Sequence, residues 1–188
     1  MARKTKEEAI ATRNGLIDAA ECVFLEKGVS RASLSDIAHA AGATRGAIYW
    51  HFKDKVDLFK AMMERGTLPL EQGYREIECS TCADPVQRLR AMMALVLRTV
   101  ASDERTRRVF EIALYRVEYV TDLAGVRERH VTASEAFTRQ LSRDFGNAAQ
   151  LQGAVLPMTP MEAAVGLHAL FNGLMQNWIL NEGAFDLV

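Results

Sequence analysis

Apolar positions recur along this chain at spacings of three and four, separated by short polar or glycine-bearing stretches. Nowhere is there a convincing two-residue alternation of the kind a strand would need. Leu16, Ala19, Ala20, Val23 and Phe24 form the first stripe, and Gly28 ends it where a left-handed residue can close a helix. Thr5 with Glu8 is a candidate capping box at its start. The second run opens at Ser33, with Asp36 in the capping-box position and Leu34, Ile37, Ala38 and Ala41 on one face. Gly42 stops it, and Thr44 opens a short third helix that Ala47, Ile48 and Phe52 can dock inward. Asp54 caps a fourth helix expected to reach Cys79. Pro69 inside it should kink or break it, leaving either a hinge or a tolerated kink.

Asp84-Pro85 then starts a fifth helix with proline in its first turn, and Leu89, Met92, Met93, Val96 and Val100 are its apolar face. Asp103 caps a sixth, with Val109, Phe110, Ala113, Leu114 and Val117. A seventh is expected from Leu123 to Phe145, striped by Val126, His130, Phe137, Leu141 and Phe145. Thr159-Pro160-Met161-Glu162 combines cap, proline and capping-box glutamate at the start of an eighth. There Leu167, Leu170, Phe171, Leu174, Met175, Trp178 and Ile179 are apolar around more than half the girth, which suits a buried helix or one that pairs with a partner. The fold class is all-α.

The second and third helices with their short turn read as a helix-turn-helix. The third carries Arg45, Tyr49, Trp50 and His51, more polar and aromatic groups than docking needs, and these suit phosphates and base edges. Charge adds a little. The 188-residue chain has a net charge of −1, but residues 1–60 hold ten lysines and arginines against eight acidic residues, and the remainder 13 against 16. A mildly basic head on an acidic body suits a DNA-binding head. A hydrophobic content of 49% with 25% charged residues fits a soluble globular protein of one or two domains. No apolar run approaches a membrane span, and the basic start lacks the apolar core of a signal peptide. Three cysteines, an odd count, point to a reducing, cytoplasmic setting rather than a disulfide framework.

Thr44-Arg-Gly-Ala-Ile-Tyr-Trp-His-Phe-Lys-Asp-Lys55 closely resembles the DNA-binding signature of TetR-family repressors. With the opening Met1-Ala-Arg-Lys-Thr-Lys6 it is similar to the branch that includes AcrR and TtgR, regulators of multidrug efflux pumps. The clear match covers residues 1–60; Arg105-Thr-Arg-Arg108, Glu111-Ile112 and Gly173-Leu174 with Trp178 add a weaker likeness. The resemblance implies a three-helix DNA-binding domain over residues 1–54 and a helical ligand-binding and dimerisation domain over 55–188. It implies that Arg45 reads base edges, that Thr44, Tyr49, His51 and Lys55 hold phosphates, and that Trp50 braces the helix or touches the backbone. Ser33 and Gly46 complete the surface. Arg3, Lys4 and Lys6 are either a phosphate or minor-groove arm or a plain basic terminus.

The family also implies a cavity for a hydrophobic inducer. Met92, Met93, Val96, Phe110, Leu114, Phe137, Phe171 and Met175 are its candidate lining, with Asn172 and Glu111 to orient a ligand. Methionine suits such a wall because it adapts. Helical spacing alone equally allows these residues to be core. Homodimerisation is expected through Leu167, Leu174 and Trp178. Family chains usually carry a further helix after the eighth; a sequence ending at Val188 is either truncated or lacks it. Cofactor and metal are expected to be none.

Cys79-Ser-Thr-Cys82 supports an alternative, a redox-sensing repressor, because a Cys-x-x-Cys can be a redox pair or half a zinc site. No second pair and no nearby histidine completes a zinc site. His39, His51, His130 and His168 are scattered, and no nucleophile elbow, His-Glu-x-x-His or phosphate loop is present, so no enzyme is expected.

Overall fold

The computed structural model describes residues 6–79, 84–118 and 123–188. Eight α-helices account for the regular structure of these residues, and none of them is in a strand. They are α1 (Lys6–Lys27), α2 (Leu34–Ala40), α3 (Arg45–His51), α4 (Lys55–Cys79), α5 (Pro85–Ser102), α6 (Glu104–Tyr115), α7 (Ala124–Gln152) and α8 (Pro160–Leu180). The expectation of an all-helical chain holds. The chain divides into two compact units, Met1–Thr67 with Arg108–Arg127, and Leu68–Arg107 with Glu128–Val188.

The first unit is built on one apolar core. Leu16, Ile17, Ala20 and Phe24 of α1 meet Ile37 of α2, Ile48 of α3, and Leu58 and Met62 of α4. Val109 and Ile112 of α6 and Val126 of α7 join it. Complete burial of side chains of this size stabilises by roughly 1.5–3 kcal/mol each. Gly66 lets α4 come close to α6, since a Cβ there would lie 2.5 Å from Val109 Cγ2 and 2.9 Å from Val109 Cβ.

One charged cluster lies inside this unit. Glu21 is only 3% exposed. Arg65 reaches it at 2.5 Å and Asp18 at 2.7 Å, and also donates to the Asn14 carbonyl at 3.2 Å. A buried carboxylate without such a partner would be costly. Cys22 is exposed, because the helical phase that turns Glu21, Val23 and Phe24 inward turns it out.

The second unit joins α5 to α7 through Arg88 and the fully buried Asp144 side chain, which also accepts from Gln140. Arg107 donates to the Ala101 carbonyl at 3.1 Å, pairs with Glu182 at 3.5 Å and covers the Trp178 ring at 5.8 Å. α4 reaches Cys79 as expected and continues across Pro69 without a break. One element differs from expectation. α7 runs to Gln152, seven residues beyond Phe145, because nothing stops it before Gly153, whose φ of 62° closes it.

Candidate nucleic-acid interface

The helix-turn-helix is held by local hydrogen bonds. The Ser33 hydroxyl accepts from the Asp36 amide at 3.1 Å, and the Ser33 amide donates to Asp36 Oδ2 at 3.0 Å, a complete capping box. Lys27 at the end of α1 adds an ion pair to Asp36 Oδ1 at 3.1 Å. The Asp36 carboxyl is lowered from 3.8 to about 2, chiefly by the Ser33 side-chain and backbone hydrogen bonds and then by the one from Lys27.

α2 ends in a Schellman turn. The Gly42 amide donates to the His39 carbonyl at 3.0 Å and the Ala43 amide to the Ala38 carbonyl at 2.9 Å. Gly42 has φ 63°, and a Cβ there would meet nothing within 4 Å, so its backbone conformation alone calls for glycine. Thr44 then caps α3 by accepting from the Ala47 amide at 3.2 Å.

α3 has two distinct faces. Ile48 and, just beyond its end, Phe52 are buried in the core. Tyr49 is 50% and Trp50 73% exposed. Arg45 and Gly46 are exposed too, and the Arg45 guanidinium lies 5.9 Å from the Tyr49 ring centre. His51 is half-buried and meets the Trp50 ring edge-to-face at 4.5 Å. Arg13 of α1 covers Phe52 from the other side at 5.1 Å. A basic, aromatic outer face on a helix locked from within can carry phosphate and base-edge contacts.

Lys55 is anchored by the protein itself. Its Nζ donates to the Ser30 and Ala32 carbonyls at 2.8 and 3.0 Å, tying the start of α4 to the loop before α2. The exposed Ser33 hydroxyl is engaged in the cap. Arg3 and Lys4 lie outside the described residues, as do Thr5 of the expected cap, Cys82 and the Cys79 side chain. Residues that sequence reasoning passed over also border α3. Ala9, Thr12 and Gly15 of α1 face Ala41–Thr44, Gly46, Ala47, Trp50 and His51 across an open groove of about 920 Å³. Their sequence signal is a run of small side chains on α1 matching another around the turn.

In the second unit Phe137, His168 and Phe171 come together. Phe137 meets the His168 ring at 5.1 Å and the Phe171 ring at 6.3 Å. Met92, Val96, Phe171 and Met175 are buried, and Met93, Phe137 and Asn172 half-buried. Phe110 and Leu114 belong to the part of α6 in the first unit, as does Glu111, which pairs with Arg116 at 3.4 Å. On α8, Val165, Leu170 and Leu174 are exposed, Leu167 is half-buried, and Trp178 is turned inward under Arg107. No group of three or more histidine, cysteine or acidic side chains among the described residues could hold a metal ion. No helix of the described residues is long and apolar enough to cross a membrane.

Comparison with known proteins agrees with this fold. Residues 16–62 match the family described as bacterial regulatory proteins, tetR family, and residues 84–188 match the C-terminal region of MAATS-type transcriptional repressors. The HTH-type transcriptional regulator AcrR of Shigella flexneri is 35% identical over 187 residues, covering 100% of this chain and 87% of its own length. Among solved structures, NalD is described as the secondary repressor of the MexAB-OprM multidrug efflux pump in Pseudomonas aeruginosa. It superposes with a TM-score of 0.81 at 36% identity, covering 97% of this chain and 90% of its own. SmeT bound to triclosan, the repressor of a Stenotrophomonas maltophilia multidrug efflux pump, gives 0.80 at 34% identity, covering 94% and 84%. With α3 inside the first matched segment and α5 to α8 inside the second, the chain belongs to the TetR family of bacterial transcriptional regulators.

Proposed function

We propose that this chain is a ligand-responsive repressor of a multidrug efflux operon. Two copies bind a palindromic operator, and a hydrophobic drug, biocide or phenolic releases them. The observation that carries the reading is α3, locked inward by Ile48 and Phe52 while Arg45, Tyr49 and Trp50 face out. In this proposal residues 1–54 read DNA, and residues 55–188 sense ligand and dimerise. The recognition helices of a dimer enter successive major grooves about 34–36 Å apart. Arg45 reads base edges; Thr44, Tyr49 and His51 hold phosphates; and the groove beside α3 seats the sugar–phosphate backbone. The repressors NalD and SmeT and the SmeT complex with triclosan support the efflux and ligand parts. The protein works in the cytoplasm, without cofactor or catalysis.

The test is a salt-resolved DNA titration followed by release. Arg45→Ala should cost about 1–3 kcal/mol on operator DNA and much less on random DNA. Equal loss on both sinks the base-reading role. Triclosan is the first release probe, followed by a panel of apolar antibiotics and phenolics. Tight probe binding without release from labelled operator would defeat the inducer part.

A further inference from the structure

The hydrogen bonds around His168 fix the direction in which its ring can recognise a partner. The Thr138 hydroxyl donates its one hydrogen to the Ser134 carbonyl at 2.9 Å. The same oxygen lies 2.8 Å from His168 Nδ1. With that hydrogen on the Ser134 carbonyl, the imidazole is the donor in the second contact and Nδ1 carries the proton. In the neutral ring Nε2 is then an acceptor. Burial first, and the neighbouring His130 second, lower the His168 pKa and favour this neutral form.

Among the described residues no side chain hydrogen-bonds Nε2, and it is not one of the sealed, unpartnered atoms. Two phenyl rings stand beside the imidazole. Phe137 meets the ring at an interplanar angle of 70°, and Phe171 packs beyond it at 37° to Phe137. An aromatic wall with one accessible polar atom is how small-molecule sites combine affinity with orientation.

We propose that His168 Nε2 is the hydrogen-bond acceptor that selects ligands carrying a hydroxyl or N–H donor on an aromatic frame. The proposal rests on the ligand-sensing reading above and names the ligand class. Phe137 and Phe171 pack the frame, and Thr138 is the positioning residue that holds the tautomer.

The test uses the full chain, with 4-phenylphenol and its methyl ether 4-methoxybiphenyl as probes in a calorimetric or tryptophan-fluorescence titration. The native protein should prefer the phenol by about tenfold, the scale of one neutral hydrogen bond in a protected site. His168→Phe should keep the ether affinity and bring the two probes within about twofold. Thr138→Val, which keeps the imidazole and frees its tautomer, should shrink the preference to a smaller value. Long-range nitrogen–proton NMR of the unliganded protein should show the proton on Nδ1; a proton on Nε2 overturns the proposal. A native preference that survives in both variants overturns it as well. Equal binding of the two probes by the native protein removes the acceptor role and leaves ligand sensing standing, whereas binding of neither sinks both.

Discussion

α3 and α8 both leave large hydrophobic side chains in water, and they do so in different company. Tyr49 and Trp50 stand beside Arg45 and His51 on a helix whose other face is pinned by Ile48. Val165, Leu170 and Leu174 stand on α8 among Gly166, Ala169 and Gly173, with no charged residue between Val165 and Leu180. Aromatic groups mixed with positive charge lose little by being wet and gain most against a polyanion. An uncharged aliphatic row gains only by being covered, so a protein surface suits it. Exposure alone does not distinguish the two faces; the charge interleaved with it does, and it supports the proposed assignment of α3 to DNA and of α8 to a second copy.

The sharpest way to break this contrast is to charge α8. In the proposed dimer, Leu170→Glu with Leu174→Glu should weaken association on the order of 100-fold, about 2.7 kcal/mol, because each carboxylate would be buried unpaired where α8 meets the second copy. Both side chains are exposed in the single chain, so its helical content should be unchanged. An unaltered dissociation constant in analytical ultracentrifugation would remove α8 from the interface.

A smaller effect sharpens the α3 side. Lys55→Met should lower stability to urea by about 1.5–3 kcal/mol, the range for hydrogen bonds to a charged group, since two carbonyls lose their donor. If Lys55 also holds a phosphate, the slope of log affinity against log salt flattens by about one unit. An unchanged slope makes the residue a latch alone.

The smallest effect comes from acid. The folded-state value of Asp36 is depressed from 3.8 to about 2, so the unfolded chain takes up the proton first. The capping box therefore contributes fully above pH 3.8, and its contribution fades as the pH falls toward about 2. Asp36→Asn should flatten that part of the stability profile in urea melts taken at successive pH values. A parallel profile would place the acid sensitivity elsewhere.

The head was legible because its signals are short-range. Ser33, Gly42 and Thr44 each act on backbone groups within six residues, and the period of α1 and α2 named most of their buried face. What escaped was decided at a distance. Glu21 turns inward, leaving Cys22 outside, because Arg65 supplies its charge from 44 residues away. Trp178, expected on the dimer face, turns inward beneath Arg107. Lys55 looked like a phosphate ligand from its place in the motif, and its carbonyl partners lie 23 and 25 residues earlier. His168 drew no notice among four scattered histidines, since its meaning depends on where the Thr138 hydroxyl hydrogen points.

The approach of α4 to α6 has an evolutionary consequence. A glycine inside a long helix is ordinarily a cheap target for improvement, since alanine gains roughly 0.5–1 kcal/mol there. At Gly66 that route is blocked by the branch point of Val109, a Cβ that has no rotamer with which to move aside. The two positions are inherited as one: drift at residue 66 is open only to lineages that have already made residue 109 smaller. A covariation of these two sites among descendants of this chain would record the spacing of two helices.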